Sequence, residues 1–449
     1  MATYTKTIDP NGGSNYASLN AWEAGEQSLY SSGDIAIADC KRTGATKDTT
    51  AVTVAGWTAG VIPKIIVNAA HRHEGKWADQ RGDGNYVYTL ATDIGTSTSG
   101  SLYINNVLNV SVDGLRIAPN YTAAVSDSAG IRVDVYSAGG NTDISNCVIR
   151  AFNAATAAHI QGIRFQSSVV ARVWNNVIYD FYKSGSAYTK GLNCRTGTHY
   201  VYNNTIYNCN YGVFRESGTV IAKNNGVFSC ATACFSGSMD AASDYNISSD
   251  ATAPGTNKAT GKTAYTDYFV DPANGDFHLK NTSLALFGLS GADLSGTFTT
   301  DAAGVTRTLP FDIGALQYVA AGGTTYDQSV LGSFPAPSGN ISSIVAFSQS
   351  TTGDFPAPSG SIVKLIGKAV SGSSPAPSGV PSKLITVTRT GTMPAPSGSL
   401  QEAVTFRQAV TGIMGSISAV ISTVLNPIIE ASTNKIKIIG SAFRRIIGG

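Results

Sequence analysis

The 449-residue sequence predicts an all-β chain, a parallel β-solenoid followed by a β-rich repeat tail. Three observations carry that reading. An Asn- or Asp-marked phrase recurs between residues 113 and 247. A Pro-Ala-Pro-Ser-Gly motif recurs behind it. The composition holds 48 glycines and 20 tyrosines but only 13% charged residues.

The phrase reads Asp113-Gly114-Leu115-Arg116-Ile117, Asn146-Cys147-Val148-Ile149, Asn175-Asn176-Val177-Ile178-Tyr179, Asn203-Asn204-Thr205-Ile206-Tyr207, Asn224-Asn225-Gly226-Val227-Phe228 and Asp244-Tyr245-Asn246-Ile247. Each copy is a turn residue followed by a short apolar run. Repeats of this size signal an array of stacked units, each too short to bury its own apolar face. Val, Ile, Tyr and Phe suit pleated, half-buried positions. Asn tolerates a left-handed bend, and stacked Asn side chains can bond along the axis. A sandwich or barrel is the alternative, and six phrased copies weigh against it.

Residues 1–100 read as a capping region with the first coils. Ser18 to Glu26 predicts a short helix, with Ser18 or Asn20 as its cap, Glu23 in its first turn, and Leu19 and Trp22 facing a core. Strand-like runs follow at Ile35–Ala38, Ala51–Ala55 and Lys64–Val67. A helix at the open end covers strand edges that would otherwise be bare. His71-Arg72-His73-Glu74 is the one metal-like cluster; a polar loop is the simpler reading of His71, His73 and Glu74, because no further ligand follows at a metal spacing.

Residues 101–320 form the solenoid body and its closing segment, including Asp271-Pro272-Ala273-Asn274-Gly275-Asp276 as a turn before a strand. The region 321–398 carries Pro-Ala-Pro-Ser-Gly at Pro335, Pro356, Pro375 and Pro394. Strand-like runs separate the copies at Ile341–Phe347, Ile362–Ile366, Leu384–Val387 and Leu400–Phe406. These predict four or five hairpin-like units rather than a flexible linker. The segment 399–449 is apolar and basic and reads as an anchor onto a partner protein.

Charge and cysteines bound the function. A net charge of +2 gives no electrostatic case for nucleic acid. Cys40, Cys147, Cys194, Cys209, Cys230 and Cys234 contain no CxxC pair and read as buried, reduced thiols. Gln408–Ile429 is long enough to span a membrane, but Gly, Ser, Thr, Asn and Pro dilute it, so no spanning helix is expected. The N-terminus shows no apolar signal core.

Three matches carry a family resemblance: Thr7-Ile8-Asp9-Pro10 with the Ser18–Glu23 segment, the Asn-Asn-Val-Ile coils, and the Asp312-Ile313-Gly314-Ala315 ending. Together they resemble right-handed parallel β-helix proteins of the pectin-lyase-like type, over about residues 1–320. The resemblance implies a right-handed β-helix. Such modules occur in phage particles and on bacterial surfaces, and the fold hosts lyases, hydrolases, spikes and adhesins alike.

Cleavage of a glycan on this fold needs clustered carboxylates, or a base with a cation. Asn141-Thr142-Asp143 is similar to one phrase of polygalacturonases, but their Asp-Asp, Gly-His-Gly and Arg-Ile-Lys phrases are missing. Asp143, Arg215 and Glu216 are the catalytic candidates, with Asp180 and Lys183 on a neighbouring coil, and Tyr202 and Tyr207 as candidate sugar platforms. No pairing recurs between coils. The expectation is therefore a non-enzymatic phage virion protein, a spike, fibre or decoration without cofactor. Its expected partners are other virion proteins of capsid or tail, further copies of itself as a homo-oligomer (a trimer by analogy), and host surface polysaccharide. A polysaccharide-degrading tailspike and a bacterial adhesin are the rivals.

Overall fold

The computed structural model describes residues 1–319 except 96–99, 125–126, 137–138, 155–158, 167 and 289, and beyond them the backbone of five short strands. The chain forms two compact units, Met1–Tyr318 and Val319–Gly449.

The first unit is a parallel β-helix. Its strands run in chain order as β1 (Thr3–Ile8), β2 (Ile35–Cys40), β3 (Val52–Val54), β4 (Ile62–Val67), β5 (Thr89–Ile94), β6 (Gly100–Asn105) and β7 (Val110–Asp113). Next come β8 (Arg116–Tyr121), β9 (Ser128–Asp134), β10 (Asn141–Ser145), β11 (Val148–Arg150), β12 (Ile160–Gln166), β13 (Val170–Trp174) and β14 (Val177–Tyr179). The last are β15 (Lys190–Arg195), β16 (Thr198–Tyr202), β17 (Thr205–Arg215), β18 (Thr219–Lys223), β19 (Gly226–Ser236) and β20 (Ile247–Ser248).

Three faces result. The first is the sheet β1-β2-β4-β7-β10-β13-β16-β18. The second stacks β5, β8, β11, β14, the starts of β17 and β19, and β20. The third stacks β3, β6, β9, β12, β15 and the ends of β17 and β19. Every pairing between coils is parallel, so equivalent residues repeat at the inter-strand spacing of about 4.8 Å. Alternation is clear on the first face, where the inward Val112, Ile144, Val173, Val201 and Ala222 are fully buried.

The double asparagine has two distinct jobs. The first Asn of each phrase turns the corner between the first and second faces: Asn146, Asn175, Asn203 and Asn224 take φ of 54°, 56°, 49° and 58°. Left-handed backbone is cheapest for Gly and Asn. The second Asn points inward and builds a ladder. Asn204 Oδ1 accepts from Asn176 N (3.0 Å) and Asn176 Nδ2 (3.0 Å). Asn204 Nδ2 donates to Val173 O (2.9 Å), Tyr202 O (3.0 Å) and Asn225 Oδ1 (3.0 Å). Asn225 repeats this toward Asn246, and Cys147 N donates to Asn176 Oδ1 (2.9 Å) at the other end. All four ladder residues are fully buried, and the corner's backbone groups find their partners in them.

A second column escaped the sequence reading. Gly130, Gly162, Gly191 and Gly212 lie where the third face begins, one per coil. A Cβ on Gly130 would sit 2.7 Å from Ile149 Cγ2, and one on Gly191 would sit 2.6 Å from Ile206 Cγ2. The second-face aliphatic of each coil fills the space the glycine leaves. The signal was present as Ala129-Gly130-Ile131, Gln161-Gly162-Ile163, Lys190-Gly191-Leu192 and Tyr211-Gly212-Val213.

At the start, helix α1 (Leu19–Glu26) caps the first coil, with Ser18 Oγ accepting from Ala21 N at 3.1 Å and Leu19 and Trp22 buried. Glu23 is not in the first turn as expected. It lies a turn later, where its Oε1 accepts from Ala55 N at 2.9 Å, so it ties the cap to the chain after β3 instead of completing a capping box. At the far end, residues 265–318 fold back over the second face. Phe269, Phe277, Phe287, Ile313 and Leu316 bury Val148, Val177, Tyr179, Phe228 and Ile247. Carbonyls of this segment accept from the corner asparagines: Thr300 O from Asn175 (2.7 Å), Asp312 O from Asn203 (2.7 Å) and Ala292 O from Asn224 (2.9 Å). Arg307, over the rings of Phe298 and Phe311, donates to Asn175 Oδ1 at 2.7 Å.

All six cysteines are free, five buried and Cys230 half-buried. Burial pushes the Cys147 thiol up to about 12, so it behaves as a small apolar group.

In the second unit the described strands are β21 (Tyr326–Gln328), β22 (Phe347–Gln349), β23 (Lys368–Ser371), β24 (Thr386–Thr390) and β25 (Thr405–Ala409). They form one parallel sheet, and the paired residues Tyr326, Phe347, Lys368, Val387 and Phe406 follow the spacing of the motif. The hairpin expectation is thereby corrected. A parallel return needs a connection of about a dozen residues or more, and a repeat of this length supplies it. The Pro-Ala-Pro-Ser-Gly copies themselves, and most of the expected anchor 399–449, lie outside the described residues.

Candidate functional site

The third face carries a cleft of about 360 Å³ over β12, β15 and β17. Its floor follows from register: Gln161 pairs with Lys190 and Lys190 with Tyr211, while Arg164 pairs with Asn193 and Asn193 with Phe214. One wall rises from the connections between the second and third faces, which deliver Asp127, His159 and Tyr188. Tyr188 is 54% exposed and stacks on His159 with ring centres 4.0 Å apart. Arg195 and Glu216 form the opposite wall.

Most of the polar groups here are paired. Arg164 Nη1 meets Asp127 Oδ2 at 2.5 Å, and its Nη2 donates to Gln166 Oε1. Asn193 Nδ2 donates to Gln161 Oε1 (2.8 Å) and Glu216 Oε2 (3.4 Å). Arg195 lies 3.4 Å from Glu216 Oε1. Lys190 is different. Its residue is only 7% exposed, its ammonium lies 4.3 Å from the centre of the Phe214 ring, and it makes no hydrogen bond or ion pair to any described residue. Burial holds its pKa below the usual lysine range; nearby Glu216 pulls it upward and Arg164 pushes it down. A partly desolvated ammonium without an ion-pair partner is costly, and a ligand carrying negative charge relieves that cost.

The sequence candidates scatter. Glu216 lines the cleft, whereas Arg215 is turned to Gly218 O at 2.7 Å. Asp143 is on the first face, held in a two-point pair with Arg172 at 2.7 Å and 2.7 Å. Asp180 pairs with Arg150 at 2.9 Å. Lys183 N donates to Asn210 Oδ1 at 2.8 Å. Tyr202 lies on the first face beside Tyr200. Tyr207 is no sugar platform, because Tyr265 and Phe277 of the closing segment pack on it. The cleft residues Arg164, Lys190 and Phe214 were not singled out from sequence. They come from three coils, and no local pattern links them.

His71, His73 and Glu74 are not brought together. His71 Nδ1 meets Tyr86 O at 3.0 Å. Glu74 accepts from Gly82 N at 3.0 Å. His73 is buried with both nitrogens occupied: Nε2 lies 2.6 Å from Asn146 O, and Nδ1 accepts from Gly75 N at 3.1 Å. Among the described residues no group of three His, Cys, Asp or Glu could hold a metal ion.

That geometry demands neutral His73, and burial, then Arg72, lower its pKa to about 3. Burial likewise lowers His199 to about 4. The unfolded chain binds these protons below about pH 6.5 and the folded chain does not, so stability is intact above that pH and falls as pH drops. Between pH 7 and pH 5 each histidine should remove about 2 kcal/mol. Urea midpoints measured across this range check it, and His199→Leu should flatten the decline by one histidine's share.

No helix among the described residues is long and apolar enough to cross a membrane. Of the Gln408–Ile429 stretch, only Gln408 and Ala409 are described.

No family model matches the chain, and no curated protein matches it in sequence. Among solved structures, the crystal structure of pectate lyase Pel9A is similar, with a TM-score of 0.32 and 13% identity over 71% of this chain and 97% of that chain. This is a likeness of fold and carries no assignment of activity.

Proposed function

We propose that the chain is a non-enzymatic attachment protein of a phage particle. Its β-helix displays the third-face cleft to an acidic surface glycan, and its repeat tail joins it to other particle proteins. The observation that carries the glycan reading is Lys190, a buried residue whose ammonium makes no ion pair with any described residue, in a cleft where Asp127 and Glu216 are paired with Arg164 and Arg195. Tyr188 and Phe214 supply aromatic surface for sugar rings beside it. The low charge, the tyrosine content and the parallel repeat tail support the particle assignment.

The test is calorimetric titration with a polygalacturonate oligomer and a neutral dextran of equal length. The acidic oligomer should bind, Lys190→Met should weaken it at least tenfold, and Lys190→Arg should restore part of the loss. Equal binding of dextran, or unchanged binding by Lys190→Met, sinks the reading. Mass spectrometry of purified particles tests the location.

One observation favours a second reading, a polysaccharide lyase. A lysine with lowered pKa beside an arginine suits a general base. It would take the proton at C5 of a uronate while a C4–C5 double bond forms and the C4–O bond breaks, the bonding pair leaving on the glycosidic oxygen, which takes a proton from solvent. Growing ultraviolet absorbance of the acidic oligomer on incubation would favour the lyase and overturn the attachment reading.

A further inference from the structure

A second cavity, of about 400 Å³, opens on the second face over β5 and β8. It lies where the closing segment stops. Trp77 N donates to Gly275 O at 3.0 Å, so Trp77 marks the edge of the covered part of that face. Beyond it the floor is Ala91 and Ala118, which pair in register and present little more than methyl groups. The aromatic wall is Trp77 and Phe152, with ring centres 5.6 Å apart.

The two ends of the cavity are polar, and their charged groups are paired. At one end Asp79 holds Arg116 at 2.6 Å and Lys47 at 3.5 Å, and also the buried Arg42 at 2.8 Å. At the other, Asn120 Nδ2 donates to Asp93 Oδ1 at 2.6 Å. The cavity lining itself carries two cations and two carboxylates, each already held by a partner, so no charged group stands free for an ionic ligand. That contrasts with the cleft on the third face, where one ammonium is unmatched.

We infer that this cavity is a binding site for a neutral sugar. The flat alanine floor and aromatic wall take the C–H face of a pyranose ring, and the Asp93–Asn120 pair offers acceptor and donor to adjacent hydroxyls. Lys47, 41% exposed on its side chain, reaches a further hydroxyl from the opposite end. The inference does not rest on the acidic-glycan reading of the cleft.

Trp77 is a built-in reporter, because Trp22 and Trp57 are buried in the opening coils and Trp174 lies on the first face. The experiment titrates the full chain with neutral gluco-, galacto- and manno-oligosaccharides and follows tryptophan emission. At least one should give a saturable change that Trp77→Phe abolishes. Asn120→Ala and Asp93→Asn should each weaken it tenfold or more with an unchanged melting temperature. Because Asp93 is exposed at the cavity's edge, its variant keeps the test open if Asn120→Ala loses stability. No change with any neutral sugar, a response to charged sugars alone, or wild-type affinity in both variants overturns the inference.

Discussion

Asn204→Ala should lower stability by about 4 kcal/mol or more, the largest loss expected from removing one polar side chain here. Asn204 is at the middle of the ladder and fully buried. Truncation removes its donations to Val173 O, Tyr202 O and Asn225 Oδ1. It also strips Asn176 N of its acceptor and takes one of three acceptors from Asn176 Nδ2. Of the groups left behind, those of Val173, Asn176 and Asn225 are fully buried, and an unpaired buried amide costs about 1–3 kcal/mol. Exposed Asn274, whose Nδ2 donates to Asp271 Oδ2 at 2.7 Å, is the control, and Asn274→Ala should stay within about 0.5 kcal/mol of the parent. Urea unfolding of both variants decides the matter. A small Asn204→Ala effect would mean that the ladder is ornamental.

Gly162→Ala, the addition of a single methyl group, should cost about 3 kcal/mol or more. The new Cβ would run into Ile178 Cγ2 and would come within 2.5 Å of Gly191 O. The first obstacle is a side chain and the second is backbone of the next coil. Adding Ile178→Ala should therefore recover only part of the loss, because the carbonyl stays. Gly296, with open space around its would-be Cβ, is the control, and Gly296→Ala should be nearly neutral. Melting temperatures and soluble yield of the three chains provide the check. Full rescue by the double variant would contradict the backbone argument.

The parts of the fold legible in the sequence are those whose cause is local or periodic. The Asn-Asn phrase was readable because two chemically specific demands, a left-handed corner and an inward amide, fall on adjacent residues in every coil. The α1 cap was readable because Ser18 serves a backbone N–H three residues on. The glycine column was equally periodic but passed unnoticed, since each glycine is matched to an isoleucine or valine on a different face. Strand direction in the repeat tail was not legible either. The motif reveals its spacing but not whether the chain turns back or travels round.

The cleft was the least legible part. Asp127, Arg164, Lys190 and Glu216 come from different coils, and only stacking brings them together. Glu216 was singled out for its charge and does line the cleft. Arg215, its neighbour, alternates away. Asp143 attracted notice through a tripeptide, yet its carboxylate is already engaged by Arg172.

The ladder has a consequence for how such a chain can change over generations. Its successive steps span 29, 28, 21 and 21 residues, yet the hydrogen bonds at every step are alike. The extra residues of the longer steps are spent between the second and third faces. There, chain leaves the axis after β11 and β14, whereas β17 and β19 run straight through. Insertions at that corner leave the stacking register untouched and lengthen only a wall of the cleft. The molecule thus separates heritable variation from structural integrity: a lineage can exchange His159, Tyr188 and their loops to meet a new surface while the asparagine column keeps count of the coils.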